Sequence, residues 1–364
     1  MRRPFILLVI LTLLAGLFPA SVWADESETA RTELTLQAAV DKALSINKGI
    51  RQAKNDLERS AEVRDYLADR VDFIPSSSSA SSGAVKSYLS LTSAEISRSM
   101  AKRTLTVEED KVVMSVYQAY NSILQGQEKV KVDELSLQNQ QWLRYVASAG
   151  LRVGTIDPVA MAKAETEYTA AKATLEADNK ALDDAYQKLN QLLGLSAKER
   201  PVLVDIPEIV PMDVKDLEAE VNKKVTGSPS VWLSEQQVDL AKLTKRLYDF
   251  TNTSNSEPYK AKEIDVEQKE ISANDTKDQV AKLVRTIYYS ATQLEEQYTG
   301  AKEAVRLAEE NQRVTQVKYE VGMATKSDLL SAELALAQAN QKLVDISTQH
   351  QILVLAFKKP WSYS

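Results

Sequence analysis

Val153-Gly154-Thr155-Ile156-Asp157-Pro158 and Val321-Gly322-Met323-Ala324-Thr325-Lys326 are the stretches whose reading decides the fold. After the first come Met161, Ala164, Tyr168, Ala171, Leu175, Asp178, Leu182, Ala185 and Leu189. A constant offset of 168 carries these positions onto Leu329, Ala332, Leu336, Ala339, Leu343, Ile346, His350, Leu353 and Phe357. Both series step alternately by three and four residues, the spacing of a helix seam wound left-handedly against partners. The segments before each Gly carry the same period. Ile287, Ala291, Leu294, Tyr298, Ala301, Val305, Ala308, Thr315 and Tyr319 share one stripe, with a more interrupted counterpart at Val116, Tyr120, Ile123, Val130 and Leu137. Gly is the residue that ends a helix cheaply in the left-handed conformation, so each Gly reads as the turn of a helical hairpin. The chain is a tandem repeat.

A second pair precedes these. Leu36, Val40, Leu44, Ile50 and Leu57 match Leu217, Val221, Val225, Val231 and Val238 at an offset of 181, with Asn47-Lys48-Gly49 opposite Ser228-Pro229-Ser230. Each half therefore predicts a short helix, a loop, a long helix, a Gly turn and another short helix. The expected spans are 35–72, 86–150 and 157–194, then 213–250, 259–320 and 326–357. At 1.5 Å per residue each long helix reaches roughly 95 Å, close to its two short helices laid end to end. The fold class predicted is all-α, with two tandem hairpin repeats at 25–196 and 212–358. Between them lies a Pro-rich linker, 197–211, in which Val202-Leu203-Val204 suits a short strand, and a tail follows at 359–364.

The composition fits: 44% of the 364 residues are hydrophobic but only 6% aromatic, which suits long helices packed through small side chains better than a thick core. A net charge of -6 without a basic stripe argues against nucleic acid as a partner. Residues 1–24 read as a secretory signal: Arg2 and Arg3, an apolar run from Phe5 to Phe18, and Val22-Trp23-Ala24 before Asp25. Export to the cell envelope is the expectation.

Chemistry is not expected. There is no Cys, and the one His, His350, lies on the seam with no second His or Cys to share a metal. No nucleophile–base set can be assembled and no phosphate loop exists, so neither an enzyme nor a cofactor is predicted.

The repeat order, the signal segment and the Val-Gly turns resemble the TolC-like outer-membrane efflux proteins. The pieces that carry the likeness are Ala43-Leu44-Ser45-Ile46-Asn47, Val153-Gly154-Thr155, and Tyr319-Glu320-Val321-Gly322 leading to Asp328-Leu329-Leu330. The resemblance implies a homotrimer forming a helical tunnel in the periplasm, capped by an outer-membrane β-barrel. It also implies a periplasmic adaptor and an inner-membrane transporter as partners. Val153-Gly154-Thr155 and Val321-Gly322-Met323 then correspond to adaptor-facing tips, Tyr319 to a gate residue and Asp328 to an acidic ring at the tunnel mouth. Bland roles stand beside these: core packing for Tyr319, and helix starts for Asp157 and for Ser327 with Asp328. Ala324, Ser331 and Ala160 depart from the charged pattern that the resemblance implies for a developed gate.

The barrel is the larger departure. A membrane-crossing strand needs about 9–11 residues, yet the Ser-rich stretch after Phe73 and the run Thr251 to Pro258 are too short for two strands each. Ser87 to Thr92 offers one brief strand at most. The resulting expectation is a tunnel-type protein with a reduced or absent barrel. The alternative is a helical scaffold or spacer of the envelope that transports nothing.

Overall fold

The computed structural model describes residues 33–75, 81–250 and 257–363. The expected signal segment, and parts of both inter-helix turns, lie outside the described residues. From Glu33 onward the chain forms one packed unit. The elements run β1 (Glu33–Leu34), α1 (Leu36–Ile46), α2 (Lys48–Ala68), α3 (Ser82–Arg152), α4 (Pro158–Leu193), β2 (Val202–Leu203), α5 (Leu217–Gly227), α6 (Pro229–Arg246), α7 (Tyr259–Glu320) and α8 (Lys326–Lys358). A 3-10 turn at Pro360–Ser362 closes the chain. The all-α tandem-hairpin class is as expected, and the one sheet among the described residues is the parallel pair of β1 and β2. No helix among them is long and apolar enough to cross a membrane.

Three local details differ from the sequence expectation. The first short helix of each half is broken in two. Asn47 folds its side chain back to accept from the Ile50 N–H at 3.1 Å, which starts a new helix at Lys48. In the second half Pro229 occupies the first turn of α6, where its missing N–H costs nothing. The other detail is Ser87–Thr92, which is helix and not strand. Ser81 caps α3 ahead of it, and the Thr92 and Ser93 hydroxyls donate to the carbonyls of Tyr88 and Leu89 within the helix.

The seams lie where the periodicity put them. Between residues 161 and 185 the partly covered positions of α4 are Met161, Ala164, Tyr168, Ala171, Leu175, Asp178, Leu182 and Ala185, and every position between them is exposed. One edge of α4 packs on α3, and the rest faces outward. α8 is covered more widely, because α3 packs on it as well as α7. The two long helices hold the same register: Val116 and Val284, and Ile123 and Ala291, are buried at equivalent positions.

Polar contacts tie the halves together. Asn121 donates to the Thr348 carbonyl and, at 2.9 Å, to Gln351 Oε1, while Trp361 Nε1 donates to Asp110 at 2.7 Å. Since rising numbers on α3 meet falling numbers on α8, these helices are antiparallel, and both Gly turns fall at one end of the bundle. His350 is a seam residue: it is buried and hydrogen-bonded to Glu295 Oε1 at 3.0 Å, which also accepts from the Met212 N–H. Tyr120 holds the small sheet. Its buried hydroxyl donates to the Leu34 carbonyl at 3.1 Å and accepts from the Asp205 N–H at 3.0 Å. Burial pushes the phenol's pKa up, which keeps it a neutral donor.

Candidate functional site

The two tips share one construction. At the first, the Thr155 N–H donates to the Gly150 carbonyl at 2.9 Å and the Gly154 N–H to the Leu151 carbonyl at 3.2 Å. At the second, Met323 donates to Lys318 at 2.7 Å and Gly322 to Tyr319 at 3.1 Å. Both are paired-bond helix stops that need a left-handed residue, and Gly154 and Gly322 supply φ of +76° and +75°. The return helices then start from caps. Asp157 accepts from the Ala160 N–H at 2.7 Å. On α8 the cap is Thr325, two residues before the Ser327 expected from the sequence. Thr325 accepts from the Asp328 N–H, and Asp328 accepts from Thr325 in return.

Rigid turns thus present apolar side chains to solvent: Val153 is 74% exposed, Val321 65% and Met323 77%. Tyr319 is 39% exposed and lies under Lys326, with Nζ 5.8 Å from the ring centroid. It is not among the buried core residues of its own chain. Asp328 is also exposed, and donation from the Thr325 N–H and then its hydroxyl holds the carboxylate below its ordinary pKa. Its helix-cap role is structural fact, and the charge it presents at the tip is fixed through neutral pH.

Replacing either tip Gly by Ala is expected to cost about 1 kcal/mol, because the new Cβ meets open space and only the left-handed backbone is strained. Gly194 ends α4 in the same conformation, but a Cβ there would lie 2.7 Å from Ile46 Cδ1. Gly194→Ala is expected to cost more than Gly154→Ala, and thermal melts of both variants check the order.

A second surface was missed by the sequence reading. Arg103, Asn121 and Asn139 lie 18 residues apart on α3, five full turns each, and so share one face. That face is covered: Arg103 stacks over Trp232 of α6, Asn121 bonds α8, and Asn139 is buried. The offset of 168 carries them to Ile271, Tyr289 and Leu307 on α7. There the same face is bare, with exposures of 62%, 60% and 68%. The available signal was three large apolar residues standing off the α7 stripe at matching spacing. The second half thus lacks on α7 the cover that the second half itself provides for α3.

These features define a class: an all-α tandem hairpin repeat without barrel strands among its described residues. The fold is that of the TolC-like channels. It is similar to a membrane protein from Pseudomonas aeruginosa (TM-score 0.66, 14% identity, covering 91% of this chain and 90% of that one). It is also similar to the outer membrane protein VceC from Vibrio cholerae (TM-score 0.63, 14% identity, 90% and 96% covered). A further match is the CmeC outer membrane channel of Campylobacter jejuni (TM-score 0.68, 9% identity, 90% and 85% covered). No family model and no curated protein matches the sequence. At these identities the likeness is one of fold.

Proposed function

We propose that the chain is the tunnel component of an envelope export system, a passive conduit that assembles as a ring of three copies. The observation that carries this reading is the bare stripe Ile271, Tyr289 and Leu307, at the register where α3 is covered. A repeat whose last long helix lacks the cover its first one has is completed by the next copy. The occupant of that face is then the first half of a neighbour, with α2 and α4 standing in for α6 and α8. Six hairpin units close a ring, each chain contributing its repeats at 25–196 and 212–358. The helical-tunnel fold of the similar channels supports the same reading.

In this assembly the turns Val153-Gly154-Thr155 and Val321-Gly322-Met323 face a periplasmic adaptor coupled to an inner-membrane transporter. Apolar side chains held on rigid backbone favour such docking, since little entropy is lost on binding. Tyr319 and Asp328 stand at the mouth, where three carboxylates of fixed charge bias the passage of ions and cargo. The channel does no chemistry; its partner opens it.

The rival reading is an envelope spacer, favoured by the absence of barrel strands among the described residues. Uptake and release of a panel of cationic and apolar dyes separates the two. A deletion strain is expected to retain dye and to be rescued by the intact gene. Rescue should fail with a variant that cannot assemble, Tyr289→Asp with Leu307→Asp. Dye release at the parental rate in both the deletion strain and that variant would leave the spacer reading standing.

A further inference from the structure

The first hairpin carries something the second lacks. Asp133 on α3 and Asp178 on α4 face each other across the seam within hydrogen-bonding reach. Each has a buried oxygen, Oδ2, that no N–H or O–H of the protein satisfies. Asp178 Oδ1 is held by Lys129 Nζ at 2.8 Å. One cation between two carboxylates leaves one negative charge over, and a proton on Asp133 is the donor that would complete the set. A cleft of about 300 Å³ lined by Gly126, Lys129, Asp178 and Leu182 opens at the Asp178 side of the pair. At the same positions of the second hairpin stand Ala301 and Ile346, and Ile346 is buried. At that point the second seam has no carboxyl pair; its own buried polar pair, His350 with Glu295, lies one turn along.

We propose that Asp133 and Asp178 form a proton-held latch on the first hairpin, closed while the two carboxyls share a proton and loosened when it leaves to water. Burial and then the neighbouring Asp178 raise the Asp133 pKa to about 6, while Asp133 and then Lys129 draw Asp178 below its usual value. Lys129 from the same helix and Asp178 from α4 are the charged groups acting on Asp133; α8, which also packs on α3, adds none among the described residues. The signs follow. A raised acid stabilises the fold at low pH, and that stabilisation is lost as pH climbs through about 6. The lowered acid works oppositely, weakening the seam as pH falls through the ordinary Asp range near 4. The first hairpin is tightest near pH 4, loosens as pH climbs to about 6, and changes little above that.

As a switch on transport the latch rests on the tunnel reading. As a property of the seam it does not, so the two can fail separately. Hydrogen–deuterium exchange of the full chain between pH 5 and pH 8, corrected for the intrinsic rate, tests it. Peptides spanning 126–140 and 171–185 are expected to exchange roughly three- to tenfold faster at pH 8 than at pH 5. The control is the same two peptides in the variants below, because the counterparts at 294–308 and 339–353 hold Glu295, His350 and Asp345. Asp133→Asn supplies a permanent N–H donor to Asp178 and should flatten the response, as should Asp178→Asn by the mirror arrangement. No response in these two peptides, or a response that survives both substitutions, would overturn the latch.

Discussion

Tyr289→Asp combined with Leu307→Asp is expected to convert the assembled protein into single chains. Each side chain stands on a bare stripe of α7 at the position where α3 buries a residue beneath its neighbours. Covering a Tyr or Leu contributes about 1.5–3 kcal/mol, and a closed ring repeats the contribution at every junction. A carboxylate at either position would instead have to be desolvated without a partner, a penalty larger than the stabilisation that apolar burial supplies there. The double variant should therefore weaken assembly by at least about a hundredfold. Light scattering after size exclusion reads the mass directly. Circular dichroism should stay helical, because neither residue is in the core of its own chain.

Tyr120→Phe is expected to be strongly destabilising although it removes only one atom. The hydroxyl is simultaneously a donor to Leu34 and an acceptor for Asp205, and it ties β1 to the segment just past β2, beside a sheet with only two rungs. Its loss strands the Asp205 N–H, part-buried, and takes one donor from the Leu34 carbonyl. The expected cost is about 2–3 kcal/mol, from one orphaned group and two lost bonds. Denaturant unfolding of wild type and variant at one protein concentration measures it, since assembly shifts apparent stability. Faster hydrogen exchange at 33–36 and 202–205 would localise the damage to the joint between the strands.

Much of this architecture can be read from the residues, for a physical reason. In long helices packed edge to edge, burial repeats with the helix period, so the run from Met161 to Ala185 marks its own seam. Gly154 and Gly322 are equally legible, because a left-handed helix stop tolerates little else. The breaks at Asn47 and Pro229 are harder. They are caps inside otherwise continuous apolar patterns, and periodicity does not register a change of helix axis. Contacts distant in sequence leave no local trace: neither His350 with Glu295 nor Tyr120 with the strands is written in any window of sequence. Tyr289 and Leu307 were overlooked for the opposite reason. They stand off the seam of their own helix, and only the fold reveals that the matching face of α3 is covered. Tyr319 reads as a packing residue from its stripe, yet at the very end of α7 it is 39% exposed, with only Lys326 of α8 over its ring.

The chain contains no cysteine, which makes one cross-linking experiment unusually clean. Within one chain Asn121 of α3 meets Gln351 of α8, and the repeat transposes that pair to Tyr289 of one copy and Asp183 of the next. Mild oxidation of the assembled Tyr289→Cys, Asp183→Cys protein should give a covalent ladder of two and then three chains, ending there. Each single-Cys variant should give at most a dimer. Oxidised protein that remains single chains, or a ladder that runs on without stopping at three, would contradict a ring closed by repetition of the α3–α8 contact.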